Sequence, residues 1–135
     1  MTDGKDTNTI LIVDDSSTAR MIIKQCIEIA GFRDWAFIEA RNGEDAWEIL
    51  QHERVEMIFT DLNMPVLDGR MLLKRVKTTS AVSSTPVIVV TSSINPAQEA
   101  DLIGLGASAV VGKPVSPAKV YKVLAGLKGR ERKND

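Results

Sequence analysis

The sequence predicts a doubly wound α/β fold, five parallel strands alternating with five helices. Three observations lead there. Short, near-continuous runs of apolar and β-branched residues recur five times, as in strands buried on both faces of a parallel sheet. Each run is followed by a longer segment of helical character, and two of these open on a cap residue followed by proline. The length, 135 residues and 14.8 kDa, suits one domain that buries about two-thirds of its unfolded surface.

Taken in order, the first strand is Thr9 to Val13. The helix after it has the clearest pattern, with Ala19, Ile22, Ile23, Cys26, Ile27 and Ala30 tracing one face. Gly31 supplies a left-handed residue past its end and Phe32 the apolar contact that commonly follows. Trp35 to Ala40 is the second strand, and a helix runs from about Glu44 to Gln51, with Trp47 and Leu50 packing inward. Val55 to Thr60 is the third strand, and its helix runs from about Arg70 to Lys77. Thr78 to Thr85, rich in Ser and Thr, reads as a solvated loop. Pro86 to Val90 and Ala109 to Gly112 complete the sheet, each followed by a capped helix start, Asn95-Pro96 and Ser116-Pro117. Such units cross over right-handed. We expect a disordered tail over 1–8, one domain over 9–127 and a charged, frayed tail over 128–135, with no output domain after Leu127.

Composition removes whole classes of function. Lys plus Arg total 17 and Asp plus Glu 18, so the chain lacks the basic excess that nucleic-acid binding requires. Its apolar runs reach about four residues, against roughly 18 for a membrane span. The start, MTDGKDTN, has no basic and apolar stretch of the signal-peptide kind. A single cysteine, Cys26, excludes an internal disulfide and reads as core on the first helix. A soluble, cytoplasmic domain is the expectation.

Ligands of open parallel sheets bind outside the carboxyl ends of the strands. There the sequence places Asp14-Asp15, Asp61, Thr91-Ser92 and Lys113-Pro114. Each alone is an ordinary turn or cap residue; together they put three carboxylates, a hydroxyl and an amine on one edge. Carboxylates about 5 Å apart repel by about 3 kcal/mol per pair at an effective dielectric near 20, so the cluster calls for cations. Lys113 is one, and a divalent ion with oxygen ligands would bring the formal charge to zero. Pro65 and Asp68-Gly69 are turn formers that shape the loop after Asp61. His52 is the sole histidine and reads as a solvated helix end; Lys119 and Lys122 read as a solvated face.

These residues carry a resemblance. Asp14-Asp15, Asp61 with Met64-Pro65 and Asp68-Gly69, Thr91 and Lys113-Pro114 resemble the response-regulator receiver domain over roughly Thr9 to Leu127. Asp15-Ser16-Ser17-Thr18 and Gly106-Ala107-Ser108 make it most similar to the stand-alone chemotaxis type, the CheY-like receivers. The resemblance implies the strand order 2-1-3-4-5 shared by flavodoxin and CheY. It implies Mg²⁺ held by Asp15, Asp61 and the Asn63 backbone carbonyl, with Asp14 acting through a bound water. It implies that Asp61 accepts a phosphoryl group from the phosphohistidine of a sensor histidine kinase or histidine phosphotransfer protein. Thr91 and Lys113 would bind that group, Ser92 would flank its entry, and Met64 and Pro114 would help shape the loops. The downstream protein would dock on the fourth helix, fifth strand and fifth helix. Receivers often carry Tyr or Phe three residues before the lysine; here Val110 stands there, removing the usual aromatic readout.

Other classes fit less well. A haloacid-dehalogenase-type phosphatase needs an acid two residues after its nucleophile, where this chain has Asn63. A flavodoxin-like carrier needs a phosphate loop after the first strand, where Asp14-Asp15 would repel the flavin phosphate. Among receivers, a chemotaxis switch, a phosphorelay intermediate and a phosphate sink all fit.

Overall fold

A computed structural model describes the backbone of residues 8–134 and the side chains of residues 8–127. All but Asn8 of the expected N-terminal tail lies outside the described residues. The order is β1 (Thr9–Val13), α1 (Ser17–Ile27), β2 (Ala36–Ala40), α2 (Gly43–His52), β3 (Met57–Asp61), α3 (Gly69–Lys77), β4 (Val87–Thr91), α4 (Pro96–Gly104), β5 (Ala109–Gly112) and α5 (Pro117–Asn134). All strand pairs are parallel and the sheet order is β2-β1-β3-β4-β5.

Alternation along the strands divides the core in two. Leu11, Val13, Ile58, Val87 and Val89 face α2, α3 and α4, meeting Ala46, Leu50, Leu72, Leu73, Val76 and Leu102. Ile10, Ile12, Met57, Phe59, Ile88 and Val90 face α1 and α5, meeting Ile23, Cys26, Ile27, Val120 and Leu124. At about 1.5–3 kcal/mol per fully buried large apolar side chain, these two layers hold the strand register that aligns the site. Each helix opens on a side-chain cap: Ser16, Asn42, Asp68, Asn95 and Ser116 each accept a backbone N–H three residues on.

Four local readings need correction. The helix runs past Ile27 into a π-helical turn, Glu28–Phe32, broken at Gly31, whose positive φ (118°) is the left-handed residue expected there; Trp35 meets Phe32 edge to face (5.0 Å between centroids), so β2 starts at Ala36 and not at Trp35. β3 begins at Met57, since Glu56 is engaged with Thr9 by N–H and carboxylate. Thr78 to Thr85 is not simply solvated: it is a chain of turns in which Val82 packs on the core and Lys77 Nζ donates to the carbonyls of Ser83 (3.1 Å) and Thr85 (2.7 Å). The backbone of α5 stays helical to Asn134, beyond the Leu127 boundary, through a run of Lys, Arg and Glu with good helix propensity.

Candidate functional site

The sheet brings the ends of β1, β3, β4 and β5 to one edge. Asp14, just past β1, is buried (1% exposed) and held at every polar atom of its side chain: Oδ1 accepts the Ser16 N–H (2.9 Å) and Oδ2 accepts from Lys113 Nζ (3.0 Å). Asp15 beside it is exposed. Asp61 ends β3, is 8% exposed, and accepts the Leu62 N–H at Oδ1 (2.9 Å). Lys113 Nζ stands 3.5 Å from that same oxygen. Carboxylate oxygens of Asp14, Asp15 and Asp61 all lie within 4.8 Å of one another.

Crowding sets the charge state. Burial pushes the Asp61 carboxyl above the usual carboxylate range, and the Asp14 charge pushes it further; Lys113 and the Leu62 amide offset this only in part. Burial opposes the charge on Lys113, but its hydrogen bond to Asp14 and the field of both carboxylates outweigh it and hold the ammonium above its ordinary value.

Thr91, fully buried, ends β4. Its hydroxyl accepts the Ser93 N–H (3.2 Å) and its carbonyl accepts the Lys113 N–H (2.8 Å), so hydroxyl and lysine leave adjacent strands side by side. Ser92 is exposed just beyond. The Lys113–Pro114 bond is cis. Lys119 is exposed, as read, and its Nζ also donates to the carbonyls of Gly112 (3.1 Å) and Pro114 (3.0 Å), bracing the turn after β5.

The loop from Asp61 to Gly69 is built by its backbone. Asn63, Pro65 and Val66 are exposed, and Met64 packs on the core. Gly69 donates to the Leu62 carbonyl (2.9 Å), and a Cβ at Gly69 would stand 2.1 Å from the Asp61 carbonyl oxygen, which no side chain tolerates. Leu67 N–H closes a three-residue turn on the Pro65 carbonyl (2.8 Å), placing Val66 at φ 69°, a strained position for a β-branched residue. Two residues of consequence had no signal in the sequence. Gly43, opening α2, donates to the Leu67 carbonyl (2.9 Å) and straps this loop to α2. Arg20 on α1 donates to the Asp14 carbonyl (2.7 Å). Both contacts join segments distant in sequence, so only the fold reveals them.

Val110 on β5 is half-buried against the core. It also lines a groove of about 480 Å³ between α4 and α5, with Ile103, Lys119, Lys122 and Val123. His52 ends α2 and is exposed, away from the acidic edge. The Cys26 thiol is buried, which raises its pKa.

Comparison with known proteins agrees with this geometry. Residues 10–125 match the model of the response regulator receiver domain. A chemotaxis protein CheY homolog of Campylobacter jejuni is 34% identical over 121 residues, covering 89% of this chain and 92% of that protein. The structure of the chemotaxis response regulator CheY4 of Vibrio cholerae superposes with a TM-score of 0.79 at 26% identity, over 90% of this chain and 98% of the other. The Mn²⁺-bound form of response regulator Rcp1 superposes with a TM-score of 0.73 at 26% identity, over 90% and 91%. The chain belongs to the response regulator receiver family, and its likeness is to the CheY type. It is thus a signalling domain of two-component systems and not an enzyme of the conventional kind.

Proposed function

We propose that Asp61 accepts a phosphoryl group from a phosphohistidine on a sensor histidine kinase or histidine phosphotransfer protein, and that the modified domain switches its binding to a downstream protein. The observation that carries this reading is the convergence of three carboxylates within 4.8 Å beside one lysine. An all-oxygen donor set of that charge suits a hard divalent cation, and Mg²⁺ fits. Asp15, Asp61 and the Asn63 carbonyl would hold it, with Asp14 acting through water; that one solved relative is the Mn²⁺-bound form of a response regulator supports divalent-ion binding. When bound, Mg²⁺ supplies charge neutralisation to the carboxylates and to the transferring phosphoryl oxygens.

The chain's own residues do the rest. Asp61 presents a carboxylate oxygen in line with the phosphorus; the new O–P bond forms as the P–N bond to histidine breaks, and hydrolysis later restores the carboxylate. Lys113 shifts its hydrogen bonds toward a phosphoryl oxygen, and Thr91 exchanges its contact with Ser93 for another. Small, exposed Ser92 leaves the entry open. With Mg²⁺ in place the formal charge of the site falls from zero to −1 on modification, which draws both donors inward. The names of the CheY relatives support chemotaxis as the pathway, and the cytoplasm is the compartment this reading implies. Residues 9–127 form the working unit, and the groove at α4, β5 and α5 is the face offered to the target.

Beryllofluoride, which mimics an aspartyl phosphoryl group, tests the site by fluorine NMR. Protein-bound fluoride resonances are expected for the wild type with Mg²⁺, and neither with a chelator nor for Asp61→Asn. Equal binding by Asp61→Asn would overturn the reading.

A further inference from the structure

We propose that Arg20 is a positioning residue for Asp15, acting through the peptide that joins Asp14 to Asp15; this rests on the metal-assisted reading above. Arg20 Nη1 donates to the Asp14 carbonyl (2.7 Å), while Nε donates to Glu39 Oε1 on β2 (2.8 Å). Its side chain is only 17% exposed. The Asp14 carbonyl lies in the same rigid plane as the Asp15 nitrogen, so gripping that oxygen fixes the plane from which the Asp15 side chain departs.

Asp15 needs such help. Asp14 and Asp61 have their carboxylates tied by Ser16, Leu62 and Lys113, whereas no hydrogen bond to the Asp15 carboxylate is found among the described residues. Its direction is therefore set by backbone alone. The turn is held on both sides of Asp14: its N–H donates to the Ala40 carbonyl on β2 (3.1 Å) and its carbonyl is held by Arg20. Glu39 braces the guanidinium from that same strand. A planar fork with donors at a fixed angle can bridge carbonyl and carboxylate together, which a lysine ammonium cannot do in the same geometry.

Charge and position predict opposite signs, which makes the proposal testable. If Arg20 acted only as a nearby cation, its removal would relieve repulsion and tighten Mg²⁺ binding. If it positions Asp15, removal weakens binding despite the lost positive charge. Calorimetric Mg²⁺ titration of the full chain, with melting curves in chelator, separates the two for wild type, Arg20→Ala and Arg20→Lys. We expect a dissociation constant about tenfold higher in Arg20→Ala, the size typical of groups that orient metal ligands. Arg20→Lys keeps the charge and the aliphatic stem, and should also bind more weakly than wild type. Unchanged affinity in both variants, even with a lower melting temperature, would make Arg20 merely structural and overturn the proposal. Tighter binding by Arg20→Ala with wild-type affinity in Arg20→Lys would overturn it in favour of charge alone. Absence of Mg²⁺ binding by the wild type would instead defeat the metal-assisted reading, and this inference with it.

Discussion

Asp61 combines burial with a like charge close by, and both disfavour its ionised form in the fold. Ionised at neutral pH, it therefore subtracts from the stability of the metal-free protein. Asp61→Asn keeps the shape and an acceptor for the Leu62 amide while removing the charge, and Lys113 retains Asp14 at 3.0 Å. In chelator at pH 7 this variant should melt about 3 °C above the wild type; an equal or lower melting temperature would contradict the electrostatic account. Lys77 gives a pH effect remote from the acidic edge. Burial lowers its pKa, so the folded state releases its proton before the unfolded chain does. Stability from this group then rises as pH climbs from the folded pKa toward the ordinary lysine value. Denaturant melts of wild type and Lys77→Met should show the wild type gaining relative stability toward alkaline pH, and a flat difference would count against it.

Among elements, α2 and α4 play contrasting parts. The N-terminus of α2 is strapped to the loop after Asp61, where a Cβ at Gly43 would fall 2.4 Å from the Leu67 carbonyl oxygen. Alanine elsewhere in a helix favours it over glycine by roughly 1 kcal/mol, but Gly43→Ala must push that carbonyl away and disturb the turn carrying Asn63. The expected result is a loss of about 1–3 kcal/mol in stability, with a smaller Mg²⁺-induced rise in melting temperature than the one the proposed site predicts for the wild type; melts with and without Mg²⁺ read both. Helix α4 is loosely held by comparison. Leu102 is its one fully buried side chain, and Ile103 is 45% exposed. Its tie to α3 is an exposed Arg70–Asp101 ion pair, of a kind worth at most about 1 kcal/mol. Thr91 is joined to α4 through Ser92 to Asn95, so inward movement of its hydroxyl pulls first on an element of low local stability. Amide exchange with and without beryllofluoride should change over Ser92 to Leu105 while Val110, β-branched and packed on the core, stays put. Protection unchanged in that segment and altered elsewhere would refute this route.

Across the whole molecule, the layers and the gathering of charged residues at one edge were legible in the sequence for different reasons. Strands such as Thr9–Val13 are written as local apolar runs, and caps such as Asn95 before Pro96 as local side-chain chemistry, so both survive translation into the fold. Asp14, Asp15, Asp61 and Lys113 could be placed because parallel strands deliver their last residues to one edge. Contacts made across the fold were not legible. Nothing in the sequence near Arg20 announces the Asp14 carbonyl, and nothing near Gly43, one residue before the helix start read at Glu44, announces the Leu67 carbonyl. The left-handed Val66 is likewise settled by loop closure, against local preference, whereas Gly31 at φ 118° follows glycine's own preference and was legible. The central claim concerns what the assembled edge does. Intact-mass measurement after incubation with acetyl phosphate and Mg²⁺ tests it most directly. One phosphoryl group, stable to acid and labile to base, should appear on the wild type and be absent from Asp61→Ala; equal modification of Asp61→Ala, or none on the wild type, would contradict the account.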